Sequence, residues 1–89
     1  MVRAWITKYA LTQGIYEVDD GTIDERWPSM LAVPSMGTFA AFHGEGRDWH
    51  RSLPAAQARA EAMRKAKIAS LERQAVGLRE LEIGIKRPK

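Results

Sequence analysis

The chain has no cysteine, which excludes disulfide bonds and thiolate metal sites. It also has no run of about 18 apolar residues, so we expect no membrane-spanning helix. The first residues are followed by polar Thr7 and Lys8, so they do not form the apolar core of a signal peptide. Phosphate-loop, dinucleotide-binding and nucleophile-elbow motifs are missing as well. These absences predict a cytoplasmic protein that is not an enzyme and needs no cofactor.

The composition is that of an ordinary folded protein. The 89 residues are 45% apolar and 28% charged, which predicts one ordered domain over residues 1–89. A chain this short buries a modest core and has little room for an enclosed active site of a few hundred Å³. No small-molecule substrate is evident.

The first half of the chain is rich in strand-forming residues and turn signals, and it predicts a small sheet over residues 4–50. Turns are expected at Asp19-Asp20-Gly21 and at Gly44-Glu45-Gly46. Two prolines make 28–35 an irregular connection or an edge strand. The predicted fold class is α+β, with an antiparallel sheet of about three to five short strands, flat or barrel-like. The candidate strands are 4–9, 15–18, 22–27, 38–43 and 47–50.

The second half predicts one long helix over residues 53–82, followed by a basic tail at 83–89. Ser52 can cap the helix, and Pro54 is tolerated in the first turn. Gly77 interrupts a run of strong helix formers, but we expect the helix to continue because Leu78 and Leu81 keep the apolar register.

The larger apolar side chains of this helix fall within an arc of roughly 140°. We expect this arc to cover the sheet, with Ile68 and Leu71 buried against residues such as Ile6 or Phe39. Their loss would then unfold much of the domain. The arc contains Met63, Ile68, Leu71, Leu78, Leu81 and Ile85.

Small residues form a second stripe on roughly the opposite side of the helix. Alanine is the best helix former, so a solvated surface is one interpretation. The alternative is a second packing surface for self-association. The candidate interaction residues are Ala58, Ala62, Ala66 and Ala69.

Charge is unevenly distributed along the chain. Residues 1–46 hold three basic and six acidic side chains, and residues 47–89 hold eleven basic and five acidic ones. The two halves could attract each other, or the basic half could meet an anionic partner. The basic side chains are scattered around the helix. This distribution favours a solvated surface over a helix that binds in a nucleic-acid groove. The candidate nucleic-acid contacts are Arg47, Arg51, Lys65, Arg73, Lys86, Arg87 and Lys89.

Two histidines, His43 and His50, lie near Glu45 and Asp48 in one predicted hairpin. These residue types can form a metal site or an acid–base pair. The hairpin geometry need not bring the two imidazoles together, so we predict no metal site. Three tryptophans in a chain of this length leave room for one of them to be exposed to a partner.

Three segments resemble small uncharacterised proteins encoded by bacteriophages and prophages. They are the block from Trp5 to Ile15, the tetrapeptide from Trp49 to Ser52, and the stretch from Ala62 to Glu72. The resemblance covers both ends of the domain and leaves 21–37 outside it. It implies a phage-derived protein working in bacterial cytoplasm and assigns no activity or functional residue.

The sequence therefore predicts a non-enzymatic phage or prophage accessory protein that acts as a protein-interaction or self-association module. The alternative is nucleic-acid binding through the basic C-terminal half.

Overall fold

The computed structural model describes residues 1–88, and it confirms an α+β fold with an antiparallel sheet followed by one long helix. A 3-10 turn, Pro34–Met36, lies between the third and fourth strands. The main elements are β1 (Val2–Ile6), β2 (Tyr16–Ile23), β3 (Met30–Ala32), β4 (Ala41–His43), β5 (Trp49–His50) and α1 (Leu53–Arg79).

The five strands form one sheet in the order β4-β3-β2-β1-β5. Each neighbouring pair is antiparallel. Strand β1 lies between β2 and β5, so Trp5 faces Glu17 on one side and His50 on the other. The strands β4 and β5 are therefore the two edges of the sheet.

These two edges lie close together in space. In a flat five-stranded sheet they would be about 19 Å apart, at about 4.8 Å per strand spacing. Only residues 44–48 connect them, in a tight turn whose Gly44 and Gly46 have φ of 91° and 90°. The carbonyl of Ser29 accepts hydrogen bonds from Gly44 N and from the indole Nε1 of Trp49, both at 2.8 Å. The sheet must therefore curl into a nearly closed barrel.

The barrel core consists of side chains from all five strands. Trp49, Ile6 and Leu31 are fully buried. A Cβ at Gly21 would lie 2.8 Å from Leu31 Cδ1 and 3.0 Å from the carbonyl oxygen of Val2, so close packing requires glycine there. The complete buried cluster is Ala4, Ile6, Val18, Leu31, Val33, Phe42 and Trp49.

The hairpin turn predicted at Asp19-Asp20-Gly21 is wrong, because β2 continues through these residues, with a shift in its register against β1 at this point. Asp20 instead accepts hydrogen bonds from the amide and hydroxyl of Ser35, both at 2.8 Å, which lower the pKa of its carboxyl group. The chain turns after β2, where Asp24 accepts from the amides of Arg26 and Trp27 at 2.7 and 3.0 Å. Local turn propensity was overridden by tertiary hydrogen bonds and packing.

Other predicted strands also differ in their limits. Strand β1 starts at Val2 and ends at Ile6, because the next residues turn and Thr7 donates to the Arg47 carbonyl. The segment 38–40 is a turn rather than the start of β4, and it leaves Phe39 95% exposed. The predicted irregular segment 28–35 contains the short strand β3 and the start of the 3-10 turn.

Helix α1 begins as predicted, with Ser52 Oγ accepting from Ala55 N at 3.3 Å and proline in the first turn. It passes through Gly77, as expected, but ends at Arg79 rather than at residue 82. Glu80 and Glu82 place negative charge at the negative end of the helix dipole, and Ile83 and Gly84 have lower helix propensity. Both effects favour an earlier end.

The expectation that the helix covers the sheet is wrong. Within α1, Ala56 alone is fully buried, and Ile68 and Leu71 are 48% and 49% exposed. The molecule measures 60 × 34 × 21 Å, and its radius of gyration is 19.0 Å against about 12 Å for a compact chain of this length. A barrel that closes on its own core has no open apolar face, so the helix touches β5 and β1 and then projects away.

Closure of the barrel depends on Trp49, and a conservative substitution tests this. We expect Trp49→Phe to lower the free energy of unfolding by roughly 1–3 kcal/mol, since it removes buried volume and the hydrogen bond to Ser29. Urea denaturation followed by circular dichroism measures the change. Trp27→Phe is the matched control, because Trp27 is 66% exposed. Equal midpoints for the two variants would contradict the closure argument.

Candidate interaction surface on the C-terminal helix

The helix is anchored to the barrel by its first turns only. Ala56 is buried, and Arg59 Nε donates to the carbonyl of Arg47 at 3.3 Å. From Arg64 to Arg79 the helix continues for about 24 Å, at 1.5 Å per residue, with its side chains mostly exposed to solvent. An isolated helix of this length is marginally stable in water, because most helices in proteins are stabilised by packing of an apolar face.

The exposed part of the helix carries a narrow apolar seam, which we define as Ile68, Leu71, Ala75 and Leu78. The spacings are three, four and three residues, which is the a/d pattern of a two-stranded coiled coil. A wider stripe would be typical of a helix that covers a sheet. Ile68, Leu71 and Leu78 belong to the arc that the sequence predicts to cover the sheet.

Charge on the projecting helix is mainly positive. Between Arg64 and Arg79 there are five basic side chains and one acidic side chain, Glu72. Within residues 1–88 no ion pair joins the helix to the barrel, and a single ion pair, Glu45 with Arg51, joins residues 1–46 to residues 47–88. The barrel carboxylates pair locally instead, for example Glu17 with Arg3 at 3.0 Å.

The predicted alanine surface is also on α1. Ala58, Ala62 and Ala66 are exposed, and Ala69 is half-buried. Ala69 and Val76 line a shallow groove of about 430 Å³ with Glu72 and Arg73. No second element packs on this stripe within the described residues, and its role in association stays a prediction.

The predicted nucleic-acid contacts do not form one patch. Arg47 and Arg51 lie on the barrel, each beside a carboxylate, Asp48 at 3.5 Å and Glu45 at 2.8 Å. Lys65 and Arg73 lie on the projecting helix. The tail residues Lys86 and Arg87 follow its end, and Lys89 lies outside the described residues.

The two histidines have different environments. His43 is exposed on β4, whereas His50 is buried on β5. Thr7 donates its single hydroxyl proton to the Arg47 carbonyl at 2.8 Å, so its oxygen accepts from Nε2–H of His50 at 2.9 Å. Burial lowers the pKa of His50, repulsion from Arg59 lowers it further, and Glu45 opposes the shift. In the described part of the chain no three acidic or histidine side chains are placed to hold a metal ion.

Trp27 is the most exposed of the three tryptophans, at 66%. Its side chain lines an open groove of about 560 Å³ with Arg26, Met30 and His43. The sequence indicated that one tryptophan could be exposed, but not which one. The structure places Trp49 in the core and Trp27 on the turn after β2.

Comparison with known proteins gives no match to a protein-family model, to a curated protein or to a solved structure. Within residues 1–88, no helix combines the length and apolar content that crossing a bilayer requires.

The buried His50 gives a pH test of the barrel. Because the pKa of His50 is lowered in the folded state, the unfolded chain binds the proton more readily. The contribution of His50 to the free energy of unfolding is therefore fully present above about pH 6.5 and is lost as the pH falls below it. We expect the melting temperature to fall as the pH is lowered from about 7.5 to about 5. The Asp20 carboxyl, whose pKa is lowered, affects the melting temperature only at lower pH.

His50→Gln should reduce this dependence, because an amide donor can replace Nε2–H without titrating. His43→Gln, on the exposed strand β4, is the matched control and should retain it. An unchanged pH profile in His50→Gln would show that another group is responsible.

Proposed function

We propose that this protein is a non-enzymatic self-association module, in which the seam of Ile68, Leu71, Ala75 and Leu78 pairs with the same seam of a second copy. The observation that carries the proposal is the projecting helix: its apolar residues remain about half or more exposed although the barrel core is complete. The resemblance to phage and prophage proteins supports a role as an accessory protein in bacterial cytoplasm.

Pairing would bury side chains that are costly to leave in water. Ile68, Leu71 and Leu78 are 48%, 49% and 72% exposed, and full burial of such a side chain contributes about 1.5–3 kcal/mol relative to full exposure. Positive charge on the helix opposes the approach of a second copy. A short seam against net repulsion predicts reversible association that increases with protein concentration.

Leu71 tests the seam directly. We expect Leu71→Ala to raise the dissociation constant of the dimer by at least about tenfold, because truncating a packed leucine costs roughly 2–5 kcal/mol. The barrel should be affected by well under 1 kcal/mol, since Leu71 lies outside its core. Sedimentation equilibrium over a wide concentration range measures the first quantity, and thermal melting measures the second.

Val76→Ala is the matched control for this experiment. Val76 is 45% exposed, close to Leu71, but lies outside the seam. Its substitution should leave the dissociation constant nearly unchanged. A wild-type protein that stays monomeric at all concentrations, or equal effects of the two substitutions, would refute self-association through the seam.

Nucleic-acid binding is the second candidate function. The excess of basic side chains on the projecting helix favours it, since these residues could neutralise phosphates. We expect a gel shift of random duplex or single-stranded DNA at low salt that disappears steeply as salt increases. Arg73→Glu should weaken the shift, whereas Arg3→Glu, on the barrel, should not. No retardation at micromolar protein would remove this function.

A further inference from the structure

The charged residues beside the seam specify how two copies would meet. Resting on the self-association proposed above, we infer that two helices pair in parallel, with Lys67 of each copy against Glu72 of the other. Ile68 and Ala75 take the a positions of the heptad, and Leu71 and Leu78 take the d positions. Among parallel coiled coils, isoleucine at a with leucine at d favours two strands over three or four.

Lys67 and Glu72 occupy the flanking positions g and e. In a parallel pair, residue g of one helix lies beside residue e of the next heptad on the other helix, five positions further along. Lys67 and Glu72 are separated by five positions. The twofold symmetry of the dimer then produces two Lys67–Glu72 contacts, one on each side of the seam.

Neither side chain has a partner for its charge within its own helix. Residues three and four positions away are the ones that can pair along a helix. For Glu72 all of these are apolar, and for Lys67 the single charged neighbour is Arg64, of the same sign. Within residues 1–88 neither residue forms an ion pair. The four neighbours of Glu72 are Ile68, Ala69, Ala75 and Val76.

The opposite orientation brings like charges together. In an antiparallel pair centred on the seam, residues e face residues e. Glu72 would then lie near the partner's Glu72, and Lys65 would lie near the partner's Arg79. The antiparallel pair therefore has repulsion at the positions where the parallel pair has attraction.

The barrel limits where the two helices can touch. Leu11 and Ile15, in the connection between β1 and β2, line a groove against the helix with Ala60 and Arg64. Arg64 occupies the d position before Ile68 and pairs with Glu61 of its own helix. Core contact between copies therefore starts at Ile68 and ends at Leu78, which is less than two full heptads.

Charge reversal tests the orientation. We expect Lys67→Glu and Glu72→Lys each to raise the dissociation constant roughly tenfold, because two attractive contacts become repulsive. The double variant, Lys67→Glu with Glu72→Lys, keeps the net charge and should restore the wild-type value. Arg73→Glu is the control for net charge, since Arg73 lies at the outward f position. Sedimentation equilibrium at one fixed ionic strength measures all five proteins.

An unchanged dissociation constant in Glu72→Lys would indicate the antiparallel arrangement, where the substitution replaces one like-charge contact with another, and would overturn the inference. So would a dimer that Lys67→Glu leaves unchanged. Either result leaves self-association through the seam intact, whereas a strictly monomeric wild type refutes both proposals.

The absence of native cysteine allows an independent test. In a parallel pair, Leu78→Cys places the two introduced thiols opposite each other at a d position, so mild oxidation should give a covalent dimer. In the antiparallel pair the two thiols would be about 15 Å apart along the helices, beyond disulfide reach. Arg73→Cys, at the outward position, is the control. Cross-linking of Arg73→Cys in preference to Leu78→Cys would contradict the parallel arrangement.

Discussion

The rest of the structure depends on the hydrogen bond between the indole of Trp49 and the carbonyl of Ser29. It connects β5, at one edge of the sheet, with the residue that precedes β3 near the other edge. The amide of Gly44 donates to the same carbonyl. With the ring of Trp49 fully buried, these contacts close the barrel around a core made by the strands themselves.

Closure of the barrel determines the position of the helix. In an open α+β sheet, an apolar face needs a covering layer, and a following helix usually provides it. Here the short strands curl until their inward side chains pack against each other, so no such face remains. The link of Arg51 and Ser52 starts the helix at one end of the barrel, and only its first turns have neighbours.

The helix therefore needs other sources of stability. Its cap at Ser52 and its run of strong helix formers contribute, but a projecting segment of this length is marginal without a packing partner. The seam of Ile68, Leu71, Ala75 and Leu78 offers such a partner surface. Because the seam is narrow and has unpaired charges beside it, it is better suited to pack against another helix than against a sheet. The barrel would then act as a platform that holds the pairing element away from itself.

The sequence by itself determined the fold class, the start of the helix and its continuation through Gly77, because these depend on local propensity, capping and spacing. It also indicated the apolar stripe that contains Ile68 and Leu71. Only the tertiary structure decided that Asp19-Asp20-Gly21 lies within β2, since Ser35 and Leu31 come from distant parts of the chain. The exposure of the stripe was decided in the same way. Periodicity shows which residues share a face, but burial of that face depends on whether the sheet leaves a surface for it, and closure at Trp49 removes that surface.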